Sequence, residues 1–497
     1  MRLELIGHDY KYAVEQILLS LFPEERPHYS SDLTSGSSEP FTRSVLSDTA
    51  VFAQATTTIH YGGNVSRGVS KIRRSQLTDK LITDRLLQSI IKQSFYKAAI
   101  QLLPAPPQWG SLTGIRPAQI AAKALTQGSS PQSASRLLTD KYHVSAKRAD
   151  MATRAAQAAL KLKGNLAQND ISLYVGIPFC PTRCTYCSFV SNSVEKSFDL
   201  MEPFVSVLLR EIETAGKTAL DLGLRVRAVY FGGGTPTTLP DAELKAVMAA
   251  LQTAFDLSDV SEYTFEAGRP DTITREKLKI ICSHGADRIC VNPQSMSDNV
   301  LKAIGRAHGR SDVLSAASLV RETGAALNVD IIAGLPSSTP EDFKDTVDTL
   351  LGLKPENVTV HTLSLKKGSK IMLEGTKIPS GEEVSQMLDY ASSALSGHGY
   401  SPYYLYRQKF TSGGFENTGW CLPGYMGIYN VCMMEELCTV IALGGGGVTK
   451  LVLPSGRIER IFNAKYPREY IMFEENLPGK YGKIRDFIAG DSRLQEV

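Results

Sequence analysis

Three cysteines stand within eight residues, Cys180, Cys184 and Cys187, in the run ISLYVGIPFCPTRCTYCSFV (Ile171 to Val190). Of the five residues between them, four are polar or Pro, so the segment reads as a loop, and no His lies nearby as a fourth ligand. A tetrahedral zinc site normally takes four ligands from Cys and His. An iron–sulfur cube has four irons, usually ligated by Cys thiolates. A compact loop with only three thiolates suits a cube with one iron left open to something else. A zinc loop completed by a distant ligand, or three unrelated thiols, are the bland alternatives.

A second group of residues lies at the ends of strand-like runs. One run ends in Gly232-Gly233-Gly234-Thr235-Pro236-Thr237, where three glycines let a ligand approach the backbone closely. Another ends at Glu266, the next at Gln294, and a further one, LNVDIIAG, carries Asp330 between apolar neighbours. A carboxylate in a buried strand is costly unless it is hydrogen-bonded, so Glu266 and Asp330 call for partners. A ligand with hydroxyl groups would serve both. Either carboxylate could instead cap a loop or pair with Arg269, which would be the structural explanation.

These residues need a scaffold that gathers strand ends. From Leu173 the sequence predicts strands at Leu173–Ile177, Arg227–Phe231, Tyr263–Ala267, Arg288–Asn292, Leu327–Ala333 and Val358–Leu363, each followed by a helical pattern. Met201, Phe204, Val205, Leu208, Leu209 and Ile212 form one helical stripe. Thr339-Pro340-Glu341-Asp342 is a helix start, with an N-cap, a proline at the first helical position and acids in the first turn. Six βα units in series imply parallel strands and right-handed crossovers. They are too few for an eight-stranded closed barrel, so the expected fold class is α/β, a partial (β/α)6 barrel with ligands at the carboxyl ends of its strands. Residues 1–165 read as a separate N-terminal α+β domain, 166–375 as the barrel and 376–497 as a C-terminal, substrate-covering domain. In the first of these, Arg2–Ile6 and Val51–Tyr61 alternate like strands, Tyr29 to Ser47 reads as a loop, and Asp84 to Leu103 as a helix. The basic runs around Lys71, Arg73 and Arg74 and from Lys147 to Lys163 read as solvated helix faces.

At 497 residues, with 42% hydrophobic and 21% charged residues, the chain has the composition of a soluble globular protein. A net charge of +3 argues for neither nucleic-acid nor membrane partners. The charge-interrupted N-terminus is no signal peptide, no run is long enough to span a bilayer, and the expected location is cytoplasmic. Cys282, Cys290, Cys421, Cys432 and Cys438 lack ligand spacing and read as small buried hydrophobes.

The C-x3-C-x2-C spacing resembles that of the radical S-adenosylmethionine (SAM) enzymes. Taken with Tyr174, GGGTPT, Glu266, Gln294, Arg306 and Asp330, it resembles the oxygen-independent coproporphyrinogen III oxidase family. The runs WGSLTGIRP, YYLYRQKFTSGGFENTGW and YNVCMMEELCTVIALGGGGVTK resemble its HemZ-type branch, so the likeness covers essentially the whole chain. It implies one [4Fe-4S] cluster on Cys180, Cys184 and Cys187, whose open iron holds SAM through its amino and carboxylate groups. It also implies a second SAM molecule and an electron donor such as flavodoxin or ferredoxin. Gly233, Gly234, Thr235, Glu266, Gln294, Arg306 and Asp330 would hold the first SAM, with ribose hydroxyls on the carboxylates and the SAM carboxylate on Arg306. Tyr174, Tyr186, Ser364 and Val448 would lie around the first or second. The reaction implied turns two propionates of coproporphyrinogen III into the vinyls of protoporphyrinogen IX, a 5′-deoxyadenosyl radical abstracting a β-hydrogen before carbon dioxide leaves and one electron goes to an acceptor.

The better studied branch has a fourth cysteine where this chain has Phe189, which leaves the cluster ligands intact but weakens the transfer of substrate. Haem chaperones share the three-cysteine loop, and radical SAM methyltransferases or cyclopropanases also use two SAM molecules, so both classes stand as alternatives. For propionate binding, the composition of YYLYRQK points to Arg407 and then Lys409, with an edge strand as the bland reading.

Overall fold

The computed structural model describes residues 1–29, 39–187, 192–364, 369, 371, 373, 375–408 and 414–495. Phe189 and Lys409 lie outside them. The chain forms two compact units, Met1–Thr153 with Arg407–Phe415, and Arg154–Tyr406 with Glu416–Val497.

In the first unit, strands β1 (Arg2–Ile6), β2 (Phe41–Asp48), β3 (Phe52–Tyr61) and β4 (Asn64–Arg73) form a sheet in that order, β1 parallel to β2 and the rest antiparallel. Alternation in β3 buries Ala53, Ala55, Thr57 and Ile59 on one face. Against them pack Val14, Ile17 and Leu18 of helix α1 (Lys11–Leu21) and Ile91 and Phe95 of α2 (Lys80–Ala99). Two expectations are corrected here. Residues 41–48 are strand, not loop, because Thr42 and Ser44 are small enough to sit in the buried layer despite their polarity. Lys71 and Arg73 project from β4 rather than from a helix.

In the second unit, six strands run parallel in chain order: β5 (Asp170–Ile177), β6 (Arg225–Gly233), β7 (Glu262–Gly268), β8 (Arg288–Gln294), β9 (Ala326–Ala333) and β10 (Asn357–Thr362). Helices follow each strand: α3 (Met201–Asp221), α4 (Asp241–Ala254), α5 (Arg275–Ser283), α6 (Asp298–Ala303) with α7 (Arg310–Thr323), α8 (Pro340–Gly352) and α9 (Gly381–Gly397). The expected Thr339 cap is present, its hydroxyl accepting from the Asp342 amide. Covered by helices, the strands are buried almost throughout, with apolar residues dominating their centres and polar ones gathered at their ends. Phe231 and Phe265 stack 4.9 Å apart, and Phe179 meets Phe204 edge-on at 5.3 Å. Each such buried ring contributes about 1.5–3 kcal/mol.

The segment 376–497 extends both edges of this sheet. Beyond β10 come β12 (Glu416–Cys421) and β11 (Ser401–Arg407); beyond β5 come β13 (Thr439–Gly444), β14 (Val448–Val452) and β15 (Ile458–Phe462). Strand β13 is parallel to β5, so its carboxyl end, leading into Gly444–Gly447, reaches the same edge as the cysteine loop. The fold is mixed α/β, built on a large sheet that is parallel at its centre and antiparallel at both edges.

Candidate active site

Because β5 to β10 are parallel, their carboxyl ends share one edge, and the residues singled out from sequence stand along it. Strand β5 runs into Cys180, Cys184 and Cys187. Cys184 is buried, while Cys180 and Cys187 are partly exposed. Gly234 lets the β6 turn pass close to this loop, since a Cβ there would collide with the Phe179 carbonyl and stand 3.0 Å from Cys180 Sγ. Thr235 donates its hydroxyl toward Cys180 Sγ at 3.5 Å. Gly233 has φ +106°, a conformation that favours glycine.

Arg306 donates from Nη2 to the Tyr186 hydroxyl at 2.9 Å. Its Nε and Nη1 are buried without a partner among the described residues. The Oε1 of Gln294 is likewise buried and unpartnered, at a residue held at φ +68°. Strain of that kind in a non-glycine residue is usually kept for function.

The two carboxylates come together as a second group. Tyr230 donates its hydroxyl to Glu266, and Asp330 accepts from Asn328 Nδ2 at 2.9 Å with His361 Nε2 3.6 Å away. Burial pushes the Glu266 carboxyl up to about 7, the charge of Asp330 adds to this, and the Tyr230 bond opposes it. Tyr174, Tyr230 and Tyr429 stack beside them, Tyr230 and Tyr429 being 4.3 Å apart. Ser364 stands just past β10, half-buried, and Val448 opens β14 beside Gly447, which faces the Tyr174 ring. The contrast with Glu262, on the same strand as Glu266 but at its other end, is informative. Glu262 pairs with Arg288 at 2.9 Å and accepts from the Tyr429 amide at 3.0 Å, a carboxylate fully occupied by the protein.

Arg269 does not pair with Glu266 or Asp330. It forks onto Asp271 at 3.0 and 2.9 Å, which removes the simplest structural explanation of the two carboxylates. Arg407 is also corrected. It is buried, donating from Nε to the Gly414 carbonyl at 2.9 Å and from Nη1 to the Leu112 carbonyl, with its guanidinium 5.4 Å from the Trp109 ring. The run WGSLTGIRP is thus a receptor for Arg407, and an exposed propionate anchor at this position is not what the structure holds. Sequence reading missed Tyr230, Asn328, His361 and Tyr429. Asn328 was findable, since it lies two residues before Asp330 and so shares its face of β9.

The donor set fits a cluster and SAM. Three thiols on one short loop lie beside orphaned donors on Arg306 that suit a carboxylate, and acceptors on Glu266 and Asp330 that suit hydroxyls. No three His, Cys, Asp or Glu side chains among the described residues converge as the ligands of a single ion would. A cube, whose corners are separate irons, makes no such demand.

Residues 174–350 match the Radical SAM superfamily, the class that this sheet edge and cysteine loop define. The oxygen-independent coproporphyrinogen-III oxidase-like protein HemZ of Bacillus subtilis is 34% identical over 481 residues, 95% of this chain and 94% of its own length. The heme chaperone HemW of Haemophilus influenzae is 26% identical over 335 residues, covering 66% of this chain and 83% of its own. Among solved structures, coproporphyrinogen III oxidase (HemN) from Escherichia coli shares the fold, with a TM-score of 0.51 at 22% identity over 64% of this chain and 72% of that one. The chain belongs to the HemN-like, oxygen-independent coproporphyrinogen-III oxidase-like family of radical SAM proteins, a membership that implies a [4Fe-4S] cluster and SAM.

Proposed function

We propose that the chain is a cytoplasmic enzyme that oxidatively decarboxylates coproporphyrinogen III to protoporphyrinogen IX without oxygen, using one cluster on Cys180, Cys184 and Cys187 and two SAM molecules. The observation that carries this is the end-to-end likeness to HemZ, which includes the first compact unit as well as the barrel. When bound, the cluster and SAM supply one-electron cleavage of the sulfonium and a hydrogen-abstracting radical. The chain's own residues orient and enclose. Arg306 offers its two free N–H groups to the SAM carboxylate, Glu266 and Asp330 accept from ribose hydroxyls, and Gly233 and Gly234 keep the backbone close. The stacked rings of Tyr174, Tyr230 and Tyr429 exclude water beside them, as a radical reaction requires.

A second reading, haem binding and delivery, is supported by the likeness to HemW over two thirds of the chain. Anaerobic incubation with SAM, a reductant and coproporphyrinogen III, followed by porphyrin mass analysis, separates the two. Loss of two carboxyl groups, with 5′-deoxyadenosine formed, is expected. Unaltered porphyrinogen together with stoichiometric haem binding would overturn the enzymatic reading in favour of the chaperone. The electron donor is proposed to be a small one-electron carrier of the flavodoxin or ferredoxin kind.

A further inference from the structure

We infer that Arg269 is a positioning residue that clamps the cysteine loop from the end of β7, two strands away from β5 in the sheet, and that Asp271 holds the clamp in its working orientation. The inference rests on the loop holding the cluster and is independent of the substrate.

Strand β7 ends at Gly268, where φ +65° turns the chain sharply and sends the Arg269 side chain back across the sheet edge. The guanidinium is 3% exposed. Its Nη1 donates to both the hydroxyl of Thr182, at 2.7 Å, and the Thr182 carbonyl, at 3.3 Å. Its Nε and Nη2 fork onto the two oxygens of Asp271. Thr182 lies midway between Cys180 and Cys184, so one rigid, planar fork fixes the loop at the centre of its longer inter-cysteine span. Lysine, a point charge on a flexible stem, could not make both halves of this arrangement.

Asp271 is engaged from a second side. His308, fully buried, places Nδ1 3.7 Å from Asp271 Oδ1, and the charge of Asp271 also reaches Arg306. The fork from Arg269, with the His308 ring close by, holds the Asp271 carboxyl well below the usual range despite the opposing effect of burial. The segment that carries His308 touches the cysteine loop directly, since the Thr185 amide donates to the Ile304 carbonyl at 3.1 Å. The loop is therefore tied on both flanks of Cys184, at Thr182 by β7 and at Thr185 and Tyr186 by the segment after β8. Glu266, three residues before Arg269, stands in the proposed SAM site, so the β7 end couples the geometry of the cluster loop to that of the nucleoside pocket.

The test uses full-length protein, reconstituted anaerobically, in the variants Arg269→Gln, Thr182→Val and the double. Iron and sulfide content, the rate of iron loss to a chelator, and the unfolding midpoint of the apo-protein are measured for each. Charged hydrogen bonds of this kind lead us to expect about a tenfold faster iron loss in Arg269→Gln. A smaller acceleration is expected in Thr182→Val, with the double variant no worse than Arg269→Gln, because both act through one contact. Thr182→Val should leave the apo-protein midpoint unchanged, and it decides the matter alone if Arg269→Gln fails to fold. Iron retained equally in all variants would overturn the clamp while leaving the cluster assignment intact. Additive effects in the double variant, or a lowered apo-protein midpoint with unchanged iron loss, would also overturn it. Wild-type protein that takes up no iron would overturn the cluster assignment, and the clamp with it.

Discussion

Arg306 and Tyr186 meet at 2.9 Å across 120 residues of sequence, and the guanidinium that makes this bond keeps two buried N–H groups unused. Tyr186 sits between Cys184 and Cys187, so the bond joins the cluster loop to a cation with spare donors. Leaving such donors unmet costs free energy, which a bound carboxylate would recover.

Arg306→Lys keeps the charge but loses the fork. SAM affinity should fall by about 1.5–3 kcal/mol, the range of a charged hydrogen bond. Iron content should stay at the wild-type level, and calorimetric titration of reconstituted protein measures both points against each other. Unchanged SAM affinity would remove Arg306 from the site.

Arg407→Ala should act on stability and not on the Michaelis constant for porphyrinogen. The substitution strands the Leu112 and Gly414 carbonyls and empties the face of Trp109, which together should cost roughly 1–3 kcal/mol. Denaturant unfolding followed by Trp fluorescence is the measurement. A raised Michaelis constant with unchanged stability would restore the propionate-anchor reading.

The parallel strands were legible because their apolar runs and the turns between them repeat, and the ends of every expected strand from Leu173 onward lie within three residues of those observed. The site residues were legible because polar groups at parallel strand ends share an edge. What sequence left open was partnership. Glu262 and Glu266 sit four residues apart in one strand, yet only their neighbours decide that the first is paired and the second available. Arg269 and Arg407 fail in the same way, since each carries a charge whose partners arise from folding: Thr182 lies 87 residues away from the first, Leu112 295 from the second. Residues 41–48 were misread because serine and threonine can line a sheet interior where the facing layer is tight.

Lys480→Met tests the most deeply buried ion pair among the described residues. Lys480 Nζ lies 2.7 Å from Glu211 Oε1, both fully buried, and Glu211 also accepts from the Gly444 amide and the Tyr470 hydroxyl. Removing the cation leaves an uncompensated buried carboxylate, which should cost about 3–5 kcal/mol. Because Glu211 secures Gly444, the turn of Gly444–Gly447 beside Tyr174 should loosen as well, read as faster amide exchange at those glycines. A stability loss under about 1 kcal/mol would mean that the carboxylate takes up a proton at little cost.

Glu266, if it accepts from a SAM ribose as proposed, should make the binding of SAM depend on pH. Its carboxyl in the folded protein is pushed up to about 7, chiefly by burial and further by the charge of Asp330. A raised carboxyl binds its proton more tightly folded than unfolded, so stability should fall as pH rises from the ordinary carboxylate range through about 7. Ribose hydroxyls, by contrast, donate best to the ionised form, so SAM affinity should rise across the same window. The Tyr230 hydroxyl bond favours the carboxylate, and Tyr230→Phe should therefore move the binding midpoint to higher pH while sparing affinity at the alkaline end. Glu266→Gln should flatten this part of the profile. Calorimetric titration of SAM from about pH 6 to about pH 8.5 spans the transition. If the wild-type profile is flat, Glu266 does not take a ribose hydroxyl in its ionised form; if Tyr230→Phe leaves the midpoint in place, the bond between the two residues is not what sets it.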